Sequence, residues 1–257
     1  MRSALVALLV VLAAAGVGAT ARDHRPAPFG DAVMVHRTGA AADAAPADPL
    51  GEALREGADG SVQLHQPGSG GTAWSYRRPG SVPVRLVPLA GGTTVAVWDD
   101  GMLTGIRLDG PEVGWHRFVP GLADWLVQSH ATGTDPGPLL APLDRGRAFL
   151  VATPHLVLAF GTADGAIRTD VLPPSGCSYD PSRTLALPDL VVLVRPCGRT
   201  ATVEGFGAEG RRWQLTAGPL ARAVPTGHGR IAVQDTAPFP SLRLDTRTGH
   251  ALRTPTP

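Results

Sequence analysis

A strand–turn–strand unit that recurs along the chain is the feature that most limits its fold. Each copy has an apolar strand, a polar turn that ends in glycine, and a second strand that runs into Pro or Gly. A single unit of this kind cannot bury both of its faces, so stacked copies must cover one another. The five turn glycines, at spacings of 39, 55, 45 and 39 residues, are Gly71, Gly110, Gly165, Gly210 and Gly249.

The clearest hairpin signal in the chain lies at Asp99-Asp100-Gly101. The runs on either side, "TTVAVW" and "MLTGIRL", are rich in strand-forming residues. Asp-Gly between such runs is a strong hairpin signal, because the tight turn needs positive φ. Two adjacent carboxylates are also a candidate acid–base pair, but turn chemistry explains them without any reaction. We therefore expect Asp99 and Asp100 to shape the bend.

The rest of the chain from residue 60 to 257 continues this pattern. Short alternating or apolar runs are separated by Gly, Pro and Asp, and almost no segment shows helical periodicity. A further strand-like run precedes each unit, which gives three or four strands at a period of about 40 to 50 residues. The sequence therefore predicts an all-β fold, a β-propeller of about five blades with a partial sixth allowed.

Tryptophan opens the second strand in three of the five units. These residues are Trp74, Trp115 and Trp213. Arg168 takes the corresponding position in one of the remaining units, and either Leu252 or Arg253 takes it in the other. We expect the indoles to pack between blades rather than to form a platform for a ligand.

The N-terminal residues 1–21 are predicted to be a targeting segment. They contain one Arg, an apolar run over residues 4–21 and the small-residue site Ala19-Thr20-Ala21, which is the layout of a signal peptide. The run of about 18 residues also reaches the length that spans a bilayer, so an uncleaved membrane anchor is the alternative. No cysteine follows the run, which excludes a lipoprotein. Either way, the remaining chain is predicted to be extracytoplasmic, secreted or anchored by residues 4–21.

Residues 22–59 are expected to form an extended segment and linker before the repeat domain at 60–257. The stretch from His36 to Gly60 is polar and rich in Ala and Pro. Upstream of it, residues 31–37 alternate Val33 with Val35 and predict one isolated strand. Its partner must come from elsewhere, and closing the ring beside the last blade is one expectation.

The chain has two cysteines, Cys177 and Cys197. An even count in an exported chain predicts a disulfide. Between them, short strands at 184–187 and 190–194 are expected to fold back at Pro188-Asp189, which would bring the sulfurs together. Two buried thiols are the poorer alternative, and two thiols without a near His make at most half a metal site.

The longest insertion runs from Gly121 to Gly146. Trp125 and Leu126 are expected to start a short strand there. His130 and Asp135 lie in the same segment, and loops on a rigid scaffold often carry binding residues. The insertion is therefore a candidate recognition loop, on its length alone.

The composition argues against nucleic-acid binding. The chain contains no Lys and no Asn, and all 23 basic residues are Arg, which is the usage of a GC-rich genome. Without the leader, 22 Arg face 22 acidic residues, and no basic run stands out. Phosphate binding needs such a concentration of positive charge.

The stretches "GIRLDGPEVGW", "GFGAEGRRW" and "LRLDTRTGHAL" resemble the PQQ-type repeat of quinoprotein-like β-propellers. The best matches combine an apolar residue and Asp with a turn glycine, as in Asp245 with Gly249 and Asp109 with Gly110. Gly161 and Gly207 depart from the pattern, since Asp is expected there. The resemblance implies a propeller, in either of two branches: dehydrogenases that carry a cofactor, or cofactor-free scaffolds of the cell envelope.

The sequence favours the cofactor-free branch. It contains no nucleophile elbow, P-loop, dinucleotide fingerprint or zinc-protease motif, and its eight His residues are scattered. We therefore expect no catalytic, cofactor-binding or metal-binding residues. The predicted function is a non-enzymatic binding or scaffolding module at the cell envelope, with an unknown protein or envelope partner and membrane contact only through the N-terminal segment. The alternatives are a degenerate quinoprotein-type oxidoreductase and a sensor of a small ligand in the propeller channel.

Overall fold

The structure is a computed structural model that describes residues 32–35, 54–65, 71–89, 91–107, 113–133, 139–227, 229–235 and 241–252. Over these ranges the prediction of an all-β chain is confirmed. Five antiparallel sheets follow one another along the described residues.

The strands of the first two sheets are as follows. Sheet 1 contains β1 (Ala32–Val35), β2 (Leu54–Glu56), β3 (Val62–His65) and β4 (Thr72–Arg77). Sheet 2 contains β5 (Pro83–Leu89), β6 (Thr93–Trp98), β7 (Met102–Arg107) and β8 (Val113–Phe118).

The remaining strands form three further sheets. Sheet 3 contains β9 (Leu140–Leu143), β10 (Ala148–Thr153), β11 (Leu156–Gly161) and β12 (Ile167–Val171). Sheet 4 contains β13 (Leu185–Leu187), β14 (Leu190–Cys197), β15 (Thr200–Gly207) and β16 (Gly210–Ala217). Sheet 5 contains β17 (Arg222–Gly227), β18 (Arg230–Gln234) and β19 (Leu242–Asp245).

Sheets 2, 3 and 4 are four-stranded meanders in chain order. In each, the turns between the first and second strands and between the third and fourth strands lie at one end, which we call the turn face. The turns between the second and third strands lie at the opposite end, together with the linkers that lead to the next sheet; we call this end the linker face. Each of these predicted repeat units thus corresponds to one sheet, which has a turn face at one end and a linker face at the other.

Consecutive sheets pack face to face through apolar side chains. Trp74 and Tyr76 of sheet 1 share a core with Trp98 of sheet 2. A larger core joins sheets 2, 3 and 4, and a third core joins sheets 4 and 5 around Trp213 and Ile231. Because each sheet covers the face of the next, burial removes the apolar surface that a lone unit would expose to water. Propeller blades also cover one another through face-to-face contacts between successive sheets.

The same register shift occurs in sheets 1 to 4 and shows which strands of these sheets are equivalent. A register shift lies next to the pairs Gly105–Trp115 in sheet 2 and Gly205–Trp213 in sheet 4. The same shift lies next to Leu64–Trp74 in sheet 1, which makes β4 the fourth strand of its unit. In sheet 3 it lies next to the pair of Ala159 and Thr169, so Thr169, not Arg168, takes the tryptophan position.

The N-terminal strand β1 is in a different place from the one expected. It pairs antiparallel with β4 from Ala32–Arg77 to Val35–Trp74, on the outer side of sheet 1 and not beside the last sheet. β1 and β2 both fall within residues 22–59, so that segment contributes strands to sheet 1. Alternation of Val33 and Val35 predicts a strand, but pairing depends on tertiary contacts that the pattern does not encode.

The insertion contains a helix, α1 (Leu122–Thr132), where a short strand was expected. Leu122, Trp125 and Leu126 are buried, and their spacing of three and four residues places them on one helical face. The prediction of a strand at Trp125 and Leu126 is therefore wrong. Within the described residues no helix is long and apolar enough to cross a membrane. Residues 1–21 lie outside the described residues.

Candidate functional site

A cleft of about 940 Å³ opens on the turn face of sheets 3, 4 and 5. We call it the arginine cleft, because five arginines from four elements line it. They are Arg145, Arg147, Arg212, Arg230 and Arg247. These five arginines are spread over residues 145–247 of the sequence. For this reason no basic run in the sequence indicates the cleft.

The β9–β10 turn supplies two of these arginines through an unusual backbone. Asp144 and Arg145 have φ of 50° and 55°, and they are the non-glycine residues with positive φ in the described part of the chain. Such a conformation costs of order 1 kcal/mol per residue and is often kept at functional sites. The turn is closed by a hydrogen bond of 3.1 Å from the Arg147 amide to the Asp144 carbonyl. As a result, Arg145 and Arg147 stand at the rim of the arginine cleft.

Asp144 is held as a carboxylate in this turn. Its side chain pairs with the Arg147 guanidinium at 2.5 Å. The hydrogen bond from Arg147 lowers the pKa of Asp144, and the charges of Arg147, Arg212 and Arg145 act in the same direction. The turn therefore presents one satisfied ion pair together with Arg145, which forms no ion pair among the described residues.

Arg212 enters the cleft from β16. A Cβ at Gly207, in the neighbouring strand, would overlap the Arg212 guanidinium, so the glycine leaves the space in which this side chain lies. Gly207 is one of the two positions where the PQQ-type repeat that the sequence resembles has Asp. Here glycine has a steric role, because it lets the arginine lie flat across the end of sheet 4.

The charge of the arginine cleft is strongly positive. Its described lining contains five Arg against Asp144 and Asp189, a net charge of +3. The whole 257-residue chain has a formal charge of only +1, so positive charge is concentrated here. Apolar residues line the same cleft, namely Leu187, Pro188, Leu190 and Pro225. Guanidinium groups beside apolar surface suit an anion that carries an apolar part.

The tryptophans predicted to pack between blades lie at sheet junctions. Trp115 and Trp213 are buried, and the indole Nε1 of each donates to a carbonyl in the next sheet. Trp115 donates to Thr162 at 2.8 Å, and Trp213 donates to Thr246 at 2.9 Å. Trp74 is also buried, and its Nε1 has no hydrogen-bond partner among the described residues.

The turn glycines of the repeat have different surroundings. Gly165 and Gly249 adopt φ of +62° and +67° beneath the rings of Trp115 and Trp213. Gly210 opens β16. Gly71 directly precedes β4. Asp109 and Gly110 lie outside the described residues.

Asp245 shapes the turn that follows β19. Its carboxylate accepts hydrogen bonds from the amides of Arg247 and Thr248, each at 3.0 Å. These bonds, with the Thr248 amide first, lower the pKa of Asp245. This turn also places Arg247 at the arginine cleft.

The Asp99-Asp100 pair lies at the β6–β7 hairpin bend, on the linker face. Asp100 also binds Arg78, a nearly buried side chain of the linker between sheets 1 and 2, through bonds of 2.9 and 2.8 Å. Asp99 accepts a bond of 3.1 Å from the Val82 amide. The pair therefore ties a linker to the hairpin in addition to forming the bend.

A disulfide joins Cys177 to Cys197, with the two Cα atoms 4.8 Å apart. It connects the linker between sheets 3 and 4 to the end of β14. The strands between the cysteines are β13 and β14, and they fold back at Pro188 and Asp189 as the sequence pattern indicates.

A buried ionic network beside this disulfide was not predicted. Glu204 is fully buried and pairs with Arg195 at 3.1 Å and with Arg211 at 2.8 Å. The Tyr179 hydroxyl donates to Glu204 at 3.1 Å. Burial first, and then the charge of Glu204, raises the pKa of Tyr179. None of the network's atoms is among the described buried polar atoms that lack a hydrogen-bond partner, which fits a structural role.

The candidate recognition loop is only partly visible. His130 lies within α1, whereas Asp135 is outside the described residues. The described residues contain no group of three or more His, Cys, Asp or Glu side chains that could hold a metal ion.

No protein-family model and no curated protein sequence matches the chain. Many solved structures are similar to it, and three of them are described below. BamB from Moraxella catarrhalis is 12% identical with a TM-score of 0.39, over 76% of this chain and 70% of that one. Dihydro-heme d1 dehydrogenase NirN in complex with DHE is 12% identical with a TM-score of 0.48, over 86% and 48% of the two chains.

The third similar structure, a protein of unknown function from Bacteroides caccae, is 15% identical with a TM-score of 0.33, over 65% and 56% of the two chains. At these identities and TM-scores, no ligand, partner or activity transfers to this chain. The propeller-type arrangement rests on the five sheets themselves, and membership of the quinoprotein-like family stays a prediction.

Proposed function

We propose that the protein is a non-enzymatic β-propeller of about five blades that binds an acidic, partly apolar segment of a partner protein in the arginine cleft. Its place is the cell envelope, outside the cytoplasm. The observation that carries the proposal is the convergence of five arginines from three sheets on one cleft of a nearly neutral chain.

The chemistry of the cleft supports binding rather than catalysis. Its described lining offers Arg, Asp, Thr, Gly, Pro and Leu side chains. Arg stays protonated at all physiological pH values, and Asp144 is held ionised by Arg147, so neither is suited to exchange a proton near neutral pH. The charge can instead orient an anion and raise its association rate.

The size of the cleft supports a peptide segment as the ligand. Its volume of about 940 Å³ is at the upper end of ligand pockets, and its lining comes from three sheets. Carboxylates spaced along a peptide can meet arginines on successive sheets, while apolar side chains contact Leu187 and Pro225. Such a peptide would contact both the arginines and the apolar residues of the cleft.

The disulfide and the apolar N-terminal run support an extracytoplasmic location. Disulfides persist in oxidising compartments, and the Cys177–Cys197 bond is intramolecular. A fusion of the chain to a phosphatase that is active only after export tests the location. Phosphatase activity is the expected result, and an inactive, stable fusion would contradict it.

Binding is tested with a labelled peptide of alternating Glu and Leu, measured by fluorescence anisotropy at two salt concentrations. The double variant Arg145→Gln/Arg212→Gln is expected to weaken binding about tenfold or more, and high salt should weaken binding to the unaltered protein. The matched control Arg199→Gln/Arg243→Gln removes the same charge from exposed positions outside the cleft. Equal weakening by the two double variants would show that net charge, and not the cleft, holds the peptide.

A further inference from the structure

The linker face carries exposed apolar side chains at regular intervals. Each of the four linkers between consecutive sheets exposes one, and their spacing of 45, 45 and 48 residues follows the repeat. These residues are Val82, Val127, Leu172 and Leu220, with exposed fractions of 48%, 68%, 71% and 55%. Phe118, 59% exposed, ends β8 at the same face. Ile167, which is 58% exposed and begins β12, lines one groove with Phe118 and Leu172.

The chain also enters the fold at this face. Ala32, the first residue of β1, pairs with Arg77, the last residue of β4, and β4 runs toward the linker face. The apolar run of residues 4–21 is separated from Ala32 by ten residues, 22–31. Ten residues span at most about 35 Å. The connection from Ala32 to the apolar run is therefore short and starts at the linker face.

The linker face carries exposed charges of both signs, with a small excess of acidic ones. The acidic residues include Glu56, Asp59, Asp99, Asp100 and Asp124, and the basic residues include Arg77, Arg199 and Arg222. The concentrated positive charge lies on the opposite face, in the arginine cleft. Contact at the linker face is therefore expected to depend on apolar side chains and to change little with salt.

We propose that the linker face rests on the surface of a lipid bilayer, with residues 4–21 as the anchor and the arginine cleft pointing away from the membrane. This inference rests on the proposed envelope location and on retention of the anchor. A bilayer fits better than a protein partner, because the exposed apolar side chains come from all four linkers around a broad face and extend beyond the groove that Phe118, Ile167 and Leu172 line. Such side chains can enter the boundary between headgroups and acyl chains together.

The test uses the full chain in vesicles of phosphatidylcholine with a minor share of phosphatidylglycerol. Leu172→Cys and Leu220→Cys each place one environment-sensitive fluorophore on the linker face, since the two native cysteines are joined to each other. Glu209→Cys places the same fluorophore on an exposed turn of the turn face. Both apolar positions are exposed, so the labels do not enter the core.

Spin-labelled lipids should quench the fluorophores at 172 and 220 about threefold more than the one at 209, at low and at high salt. Equal quenching, or stronger quenching at 209, would overturn the proposed orientation. A chain that does not float with the vesicles would also overturn it, since no anchor would then hold the face. Peptide binding by the cleft is measured without vesicles, so failure of one proposal is distinguishable from failure of the other.

Discussion

The indole of Trp115 covers Gly165 in the turn of the next sheet so closely that a Cβ on the glycine would lie 2.7 Å from the ring. Trp213 and Gly249 repeat the relationship one junction further along, with a corresponding distance of 2.6 Å. In both cases the indole nitrogen bonds a carbonyl three residues before that glycine. The tryptophan and glycine of the sequence repeat are thus two halves of one contact between neighbouring sheets.

Substitution of either glycine should loosen the junction it belongs to. Gly165→Ala and Gly249→Ala combine a left-handed backbone with a clash against the indole, and each should reduce the free energy of unfolding by about 2–4 kcal/mol. Gly80→Ala is the control, because Gly80 has φ of +72° but no atom within 4 Å of the added Cβ. Denaturant titrations would measure the difference. A loss at Gly80 as large as at Gly165 would assign the whole effect to the backbone.

At the junction between sheets 3 and 4, Thr169 meets Gly210, whereas the junctions between sheets 2 and 3 and between sheets 4 and 5 have tryptophan against glycine. Thr169 takes the tryptophan position, opposite Ala159, where Gly105 and Gly205 leave room for an indole in sheets 2 and 4. Thr169→Trp should therefore destabilise the protein by about 1–3 kcal/mol through overpacking. Adding Ala159→Gly should recover part of the loss, as judged by thermal unfolding. Full additivity of the two changes would refute steric coupling between these positions.

The same junctions show what the sequence can predict. Spacing of Trp and Gly residues predicts repeated sheets, since it reflects local turn and strand chemistry. It misplaces the tryptophan position of sheet 3 by one residue, at Arg168 instead of Thr169. The reason is the register shift after Ala159, which adds a residue to the outer strand without any sign in the apolar pattern.

The helix and the arginine cleft were missed for different reasons. Leu122, Trp125 and Leu126 fit a helical face, so a helical signal was present within the insertion, but it is short. Arg145 and Arg247, in contrast, share the cleft only because sheets 3 and 5 flank sheet 4. Their proximity depends on how the sheets pack, and no local pattern in one sequence reports it.

Glu204 is expected to be the most sensitive charged residue of the core. Glu204→Gln would leave Arg195, itself 9% exposed at its side chain, without its counter-charge, at a cost of about 3–5 kcal/mol. Arg211→Gln should cost about 1 kcal/mol or less, since that side chain is 42% exposed. Urea unfolding would give both values, with exposed Glu209→Gln as a control expected to be neutral. A neutral Glu204→Gln would show that the network contributes no stability.

Loss of the disulfide should destabilise sheet 4 and the linker before it. Cys177→Ser/Cys197→Ser opens a link that spans 20 residues and should cost about 2–4 kcal/mol in the chain-entropy description. Adding a reductant to the unaltered protein should lower its free energy of unfolding by a similar amount, measured from the denaturant midpoint. The same reductant should leave the stability of the double variant unchanged. An equal response of both proteins would point to an effect of the reductant that does not involve this bond.

The contact between Arg78 and Asp100 should make stability depend on pH in the acid range. Partial burial acts to raise the pKa of Asp100, but bonds from Arg78, the Met102 amide and Ser81 outweigh it and lower the pKa below 3.8. A carboxylate with a depressed folded pKa stabilises the protein above its unfolded pKa and loses that contribution as pH falls through the folded value. Stabilisation by Asp100 is thus complete above about pH 5 and fades below about pH 4.

Asp100→Asn removes the charge that faces Arg78 and should cost about 1–2 kcal/mol at pH 7, which is less than for a fully buried pair because Asp100 is 38% exposed. Below about pH 4 the stability gap between the variant and the unaltered protein should narrow, since the unfolded chain then binds a proton at Asp100 that the folded chain binds only at lower pH. Asp99→Asn is the matched control at the adjacent position, whose carboxylate bonds the Val82 amide instead of an arginine. Urea midpoints measured from pH 7 to pH 3 test the pair. A stability gap that stays constant over this range would mean that Asp100 acts through its shape in the turn and not through its charge.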